Sequence, residues 1–303
     1  MKDTECNICG SNDYTVVHQG LKDDGSINLD TKKVYASSSN IVGNDRIVKC
    51  NICELKYVTP QLEAKDIVEA YSEGSDEKFV SQNKWRMVTF KRCLREVEKA
   101  TCSKKGRILD IGTAGGAFLK VAKDAGWNVA GIEPNKWLCN WCEKNYGIKI
   151  QQGILEKTKY KPKSFEVITL WDVLEHVPDP SATLKKCREL LTDDGILVVN
   201  YPDIGSMPSK LMRSKWIFLL SVHLWYFTPK TLKKILSKTG FQPTLFKKHW
   251  QTLSLGYLVY RMEEYSKVLA KISGFFVRLL HLGNLSIPYW LGQTLVVAKK
   301  KIN

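Results

Sequence analysis

The chain has 303 residues, 44% of them apolar and 25% charged, the balance of a folded globular protein rather than a disordered or fibrous one. No apolar stretch reaches the roughly 18–20 residues needed to cross a bilayer, and the opening Met-Lys-Asp-Thr-Glu-Cys lacks the pattern of a secretory signal. The expectation is therefore a cytoplasmic chain, with peripheral membrane contact as an option. The net charge is +15 and uneven: residues 201–303 hold 16 Lys and Arg against 3 Asp and Glu, so +13 of it lies in the last third. That asymmetry suggests an acidic partner there: a phosphorylated substrate, an anionic membrane surface or nucleic acid. In a reducing compartment the nine Cys argue for metal or core roles rather than disulfides.

Residues 1–60 contain Cys6-Asn-Ile-Cys9-Gly and Cys50-Asn-Ile-Cys53-Glu. Each Cys-x-x-Cys can grip one side of a tetrahedral ion, and two such pairs complete a four-thiolate zinc site. The 40 residues between the pairs exceed the usual spacing of about 15–20. A ribbon with a long connection fits, with strands at Tyr14-Thr-Val-Val and Arg46-Ile-Val-Lys and a polar loop over 20–45. Four thiolates leave no open position, so a structural role for Cys6, Cys9, Cys50 and Cys53 is expected.

Residues 61–106 read as a helical linker lying over a cleft as a lid. Within it, Tyr71, Trp85 and Arg86 are within reach of a ligand but read as packing residues. Residues 107–200 then alternate strand and helix, at 107–111, 116–125, 128–132, 135–146, 148–151, 165–171, 181–191 and 195–200. Such alternation means a parallel sheet covered on both faces, with ligands at the C-terminal strand ends.

The first of these strands runs into a glycine-rich turn, Asp110-x-Gly112-x-x-x-Gly116, which opens a helix. Glycines let backbone approach a ligand closely, and a helix N-terminus offers free N–H groups. The Gly-x-Gly-x-x-Gly dinucleotide fingerprint is absent. About twenty residues on, the next strand ends at Glu133, placed to accept both ribose hydroxyls of an adenosine group.

With Gly116-Ala-Phe-Leu and Gly126-Trp-Asn-Val-Ala-Gly-Ile-Glu133-Pro-Asn, these segments resemble the first two motifs of class I S-adenosylmethionine-dependent methyltransferases. The resemblance implies a Rossmann-like, doubly wound, mostly parallel seven-stranded α/β sheet, here with a small N-terminal zinc ribbon. It also implies that Asp110, Gly112 and Gly116 hold the methionine part of the cofactor and Glu133 the ribose. Ala114 replaces the usual middle glycine, and the loop is expected to survive. Ile154 replaces an acidic residue often found near the adenine.

Trp171-Asp172-Val-Leu-Glu175-His176 resembles the fourth-strand motif of the same family, in the branch with ubiquinone-type O-methyltransferases and sugar methyltransferases. Asp172 joins the expected cofactor-binding set. A neutral His176 can take a proton from a substrate hydroxyl. Alternatively, Asp172, Glu175 and His176 bind a divalent cation, or Glu175 and His176 only brace the loop. The order Trp216 … His223-Leu-x-Tyr-Phe-Thr-Pro resembles the substrate-facing insertion of that branch and makes His223 a second candidate base.

The expected domains are thus a ribbon over 1–60, a lid over 61–106 and a methyltransferase domain over 107–303. The last carries an insertion over 204–226 and a basic helical segment over 255–282, which either packs on the sheet, forms a dimer contact or lies on an anionic membrane. The expected reaction is methyl transfer from S-adenosylmethionine to an oxygen of a sugar, nucleotide-sugar or lipid-linked glycan. Two other readings stand beside it. One is an RNA methyltransferase, with Trp216, Trp225 and Tyr226 stacking on bases. The other is an inactive scaffold, for which Ala114 and Ile154 would speak.

Overall fold

The computed structural model describes residues 1–20, 45–72, 74–263 and 266–301. The polar loop expected over 20–45 falls almost wholly outside them. Three N-terminal strands come first: β1 (Tyr14–His18), β2 (Ile47–Cys50) and β3 (Lys56–Val58). The main sheet follows with β4 (Arg107–Ile111), β5 (Asn128–Glu133), β6 (Gln151–Gln152), β7 (Phe165–Trp171) and β8 (Leu191–Pro202). Next come β9 (Trp225–Tyr226), β10 (Phe241–Lys248), β11 (Gln251–Ser254), β12 (Ser286–Tyr289) and β13 (Gln293–Lys300).

The seven-stranded sheet has the order β10-β13-β8-β7-β4-β5-β6. Strands β4 to β8 pair in parallel, and β13 runs antiparallel to both its neighbours. The order reverses at β4: β5 and β6 extend to one side, β7 and β8 to the other. A crevice opens at such a switch point, beyond the C-terminal strand ends.

The central strands are near-continuous apolar runs because both their faces are covered. Ile108, Leu109, Val167, Ile168 and Leu170 are fully buried. The helices Asn83–Ala100 and Ala117–Asp124 cover one face through Leu94, Val97, Phe118 and Val121. The helices Pro180–Leu190 and Pro229–Lys238 cover the other through Leu184, Cys187, Leu232 and Ile235. Local chemistry sets their starts. Asp179 caps the first of these by accepting from Ala182 N, with Pro180 at the first position; Thr228 caps the second by accepting from Thr231 N.

The N-terminal strands do not stand apart. They form a four-stranded sheet, β1-β2-β3-β9, whose last strand comes from the far part of the chain. Cys6, Val48, Leu55 and Tyr57 share one apolar core with the main sheet. Asn7 accepts from Ser181 N and donates to Asp179, and Lys234 and Lys238 donate to the carbonyls of Cys53 and Ile8.

The segment expected as one basic helix over 255–282 is two: Leu255–Met262 and Lys267–Leu279. Each begins on its own serine cap, Ser254 and Ser266 accepting from Tyr257 N and Leu269 N. The hairpin of β11 and β12 ties the pair to the domain. The second helix turns its apolar side outward, not onto the sheet: Leu269, Ile272, Phe275, Phe276 and Leu279 are each more than half exposed. No helix among the described residues is long and apolar enough to cross a membrane.

Candidate active site

A cleft of about 1120 Å³ opens at the C-terminal ends of β4, β5 and β7, roofed by the helices Ala64–Ser72, Glu77–Ser81 and Asn83–Ala100. Its lining includes Asp110, Gly112, Glu133, Asp172, His176 and His223. Gly116 closes the glycine turn as the left-handed N-cap of the helix Ala117–Asp124. A Cβ there would meet Cys142 Sγ at 2.2 Å; one on Gly112, also left-handed, would meet Val173 at 2.7 Å. Both positions therefore need glycine for space as well as for conformation.

Ala114 adopts the left-handed region too, with φ 48°. Its N–H donates to Glu133 Oε2 at 2.8 Å, while Asn135 N–H donates to Oε1 at 2.9 Å. The loop keeps its shape without the middle glycine because Glu133 pins it from the neighbouring strand. Thr169 donates to Asp110 at 2.5 Å. Burial pushes both carboxyls up to about 7, against the hydrogen bonds that favour ionisation. Two buried acids at adjacent strand ends, beside backbone N–H groups, suit a ligand with a cation and a diol.

On the other side of the switch point, Asp172 sits at φ 52° with its carboxylate accepting from Asn200 at 2.6 Å and Gln293 at 2.8 Å. Burial raises it to about 6, partly offset by Gln293 and Arg86. Beyond it, Glu175 is 1% exposed. Neither of its carboxylate oxygens has a hydrogen-bond partner among the described residues. Burial, then the Asp172 charge, drive its pKa well above the usual range.

The rings of His176 and His223 meet with centroids 4.6 Å apart. His176 Nδ1 lies 3.0 Å from the Val222 carbonyl and 2.8 Å from the Tyr71 hydroxyl. His223 Nδ1 lies 2.7 Å from the Phe218 carbonyl. A carbonyl only accepts, so each neutral ring carries its proton on Nδ1 and keeps a lone pair on Nε2. Burial lowers His176 to about 4 and, together with His176 itself, takes His223 well below its ordinary value.

The four thiols also come together, within 4.8 Å of one another. Sulfurs about 2.3 Å from a tetrahedral zinc stand about 3.8 Å apart, and Cys6–Cys53 and Cys9–Cys50 are 3.2 and 3.5 Å apart. The two pairs share one local fold. Gly10 and Glu54, just after each, are left-handed and donate to Cys6 O and Cys50 O. The donor set and spacing thus fit such an ion.

Two residues read from the sequence as packing residues, Tyr71 and Arg86, line the cleft. Arg86 lies in the cleft with its guanidinium 3.6 Å from the Phe79 ring centre and its buried Nε without a hydrogen-bond partner among the described residues. His249 and Gln251 also line the cleft, beside the helix that carries Arg86. Trp85, by contrast, donates to Asn284 O and does not line the cleft. Trp216, Trp225 and Tyr226 are buried at 1, 1 and 2% exposure, so they offer no outward stacking surface.

The profile of a family described as methyltransferase domain matches residues 85–245. The ubiquinone biosynthesis O-methyltransferase of Actinobacillus pleuropneumoniae is 35% identical over 101 residues, covering 30% of this chain and 43% of that protein. That of Cereibacter sphaeroides is 28% identical over 149 residues, covering 45% and 60%. The chain thus spans less than two thirds of the length of these curated relatives. A solved SAM-dependent methyltransferase from Archaeoglobus fulgidus superposes over 74% of this chain and all of that one, with TM-score 0.51 at 20% identity, a likeness of fold. With its profile match over more than half of the chain, the chain belongs to the methyltransferase-domain family, among the class I S-adenosylmethionine-dependent methyltransferases.

Proposed function

We propose that this chain transfers the methyl group of S-adenosylmethionine to a hydroxyl oxygen of a sugar carried on a nucleotide or lipid phosphate. One observation carries the reading: a single cleft holds two buried acids beside a glycine turn on one side, and Glu175, His176 and His223 on the other. Asp110, Gly112 and Gly116 hold the methionine part, Glu133 the ribose, and Asp172 stands between cofactor and acceptor. The bound cofactor supplies an electrophilic methyl on a sulfonium. As the C–O bond forms, the C–S bond breaks, the sulfur leaves as a neutral thioether, and the acceptor proton passes to an imidazole Nε2 of His176 or His223. The protein's main contribution is holding the acceptor in line.

Arg86 supports a phosphorylated acceptor, since a buried guanidinium whose Nε has no partner among the described residues suits a phosphate oxygen. The exposed apolar helix Lys267–Leu279 supports a lipid-borne one. It carries Lys267, Lys271 and Arg278 and no acid, a composition that complements an anionic membrane surface. Its neighbour Leu255–Met262 contributes Tyr257, Leu258 and Arg261 to the cleft wall. For the ribbon we propose one structural zinc on Cys6, Cys9, Cys50 and Cys53, bracing the loop that bears Glu175 and His176.

The test is calorimetric titration with S-adenosylmethionine, followed by methyl-transfer assays on nucleotide-sugars and lipid-linked glycans. Wild type should bind the cofactor, and the Asp110→Ala, Glu133→Ala double variant should not. Equal binding by both would refute the site. A cofactor-bound enzyme that methylates neither acceptor class would refute the substrate.

A further inference from the structure

We propose that Lys234 and Lys238 neutralise the zinc–thiolate centre of the ribbon, so that the metal fastens the ribbon to the helix Pro229–Lys238 by charge as well as by packing. This role presupposes the four-cysteine zinc site and is independent of the methyl-transfer reading. A zinc ion brings two positive charges and four thiolates bring four negative ones, so the filled site is a dianion. A bound ion and its ligands often form the largest local charge of a site, and two cations without an acid of their own are the complement of this one.

The helix supplies them in a regular way. Lys230, Lys234 and Lys238 recur every four residues and so form one stripe along it. That stripe follows both Cys-x-x-Cys turns. Lys238 donates to the carbonyls of Ile8, at 2.7 Å, and Asn7, at 3.4 Å, both between Cys6 and Cys9. Lys234 donates to the carbonyl of Cys53 at 2.9 Å. Lys230 donates to Glu54, just after Cys53, and Glu54 also pairs with Lys49 at 3.6 Å. The acid of that turn is thereby taken. Neither Lys234 nor Lys238 has a carboxylate within ion-pair distance among the described residues, and a backbone carbonyl carries no full charge.

Lysines without acids are ordinary on a solvated face. Here their head groups are held against the two turns that carry the ligands, and the metal centre supplies the missing anion. The same helix buries Leu232 and Ile235 in the core shared with the main sheet. Zinc loading therefore reaches the sheet through this helix: with the metal in place the two ammoniums face a dianion, and without it they lose that partner. Attraction between partly exposed charges is screened by salt, whereas burial of the apolar core is not.

The test follows zinc release from the loaded full chain to a colorimetric chelator, at low and high salt, with metal content checked by mass spectrometry. Wild type should hold zinc on the cysteines and release it faster as salt rises. The Lys234→Met, Lys238→Met double variant should release it about tenfold faster than wild type at low salt, with the gap closing at high salt. The Lys234→Arg, Lys238→Arg pair should restore slow release, because it keeps both charges. Scanning fluorimetry separates charge from packing: removing zinc should lower Tm less in the Met variant than in wild type, and the metal-free forms should melt alike. The wild-type salt series keeps the proposal testable if the variants do not fold. Salt-insensitive release from wild type, or equal release from wild type and the Met variant, would overturn the role of the lysines and leave the zinc site standing. A metal-free Met variant destabilised as much as its loaded form would overturn it too, since the lysines would then serve backbone packing alone. A wild type that retains no zinc would instead refute the four-cysteine site itself.

Discussion

The C-terminal helical pair lines the cleft and the N-terminal ribbon packs behind its loops, and the two are attached in opposite ways. The ribbon shares its apolar core with the main sheet and borrows β9 from the far part of the chain. The helical pair hangs on the two-stranded β11–β12 hairpin and leaves its second helix's apolar side exposed. Burial makes the first a structural part of the site. Exposure makes the second a surface that can be altered without disturbing the fold.

The largest effect should come from breaking the ribbon. Cys53→Ser removes a ligand from the proposed zinc site, and the damage passes through the shared core. Scanning fluorimetry should report a fall in Tm on the order of 10 °C, with loss of methyl transfer. A variant that melts like wild type would mean the ribbon is a mere appendage.

Between the two extremes lies the glycine loop proposed to hold the cofactor. Gly116→Ala forces a Cβ onto Cys142 Sγ and a non-glycine residue into the left-handed region, where the backbone cost alone is about 1–2 kcal/mol. Calorimetry should show S-adenosylmethionine affinity weakened by about tenfold or more, whereas unchanged affinity would argue against the loop as cofactor site. The pH response should locate the same loop. Asp110 and Glu133 titrate near 7 when folded and near 4 when unfolded, so folding takes up protons between those values. Their contribution to the stability of the ligand-free chain falls as pH rises from about 4 to about 7, then levels. A cationic cofactor favours the ionised acids, so the Tm gain on adding S-adenosylmethionine should be larger at pH 8 than at pH 6. Asp110→Asn should flatten that difference.

The smallest effect on stability belongs to the helical pair. Ile272→Ser with Phe276→Ser removes apolar side chains that are each 53% exposed, so Tm should stay within about 2 °C. Co-sedimentation with anionic vesicles at low salt should be lost. Vesicle binding equal to wild type would show that this face is not the membrane contact.

What could be read in the sequence follows the same division. The glycine turn, the acids near the ends of β4 and β5 and the alternation over 107–200 are local patterns, and the structure keeps them, although the strand expected over 148–151 is only Gln151–Gln152 and that expected over 195–200 runs from Leu191 to Pro202. The pairing of Trp225 and Tyr226 with β3 has no local signature, because two residues are too few to show a period and their partners, Tyr57 and Lys56, lie far back in the chain. His223 was legible as a histidine near an acceptor pocket, but its meeting with Glu175 and His176 depends on that same pairing. The division of 255–282 into two helices turns on Ser266, one cap inside an otherwise helical pattern.

The pairing of β3 with β9 also bears on how the molecule comes into being. While the chain is being synthesised, the ribbon emerges early, yet its sheet keeps an open edge until residues 225 and 226 leave the ribosome. An unpaired strand edge is an aggregation hazard. The β9 strand closes that edge only once the segment after His223 has been made. Completion of the ribbon thus becomes a late folding event, coupled to the arrival of the segment that carries His223.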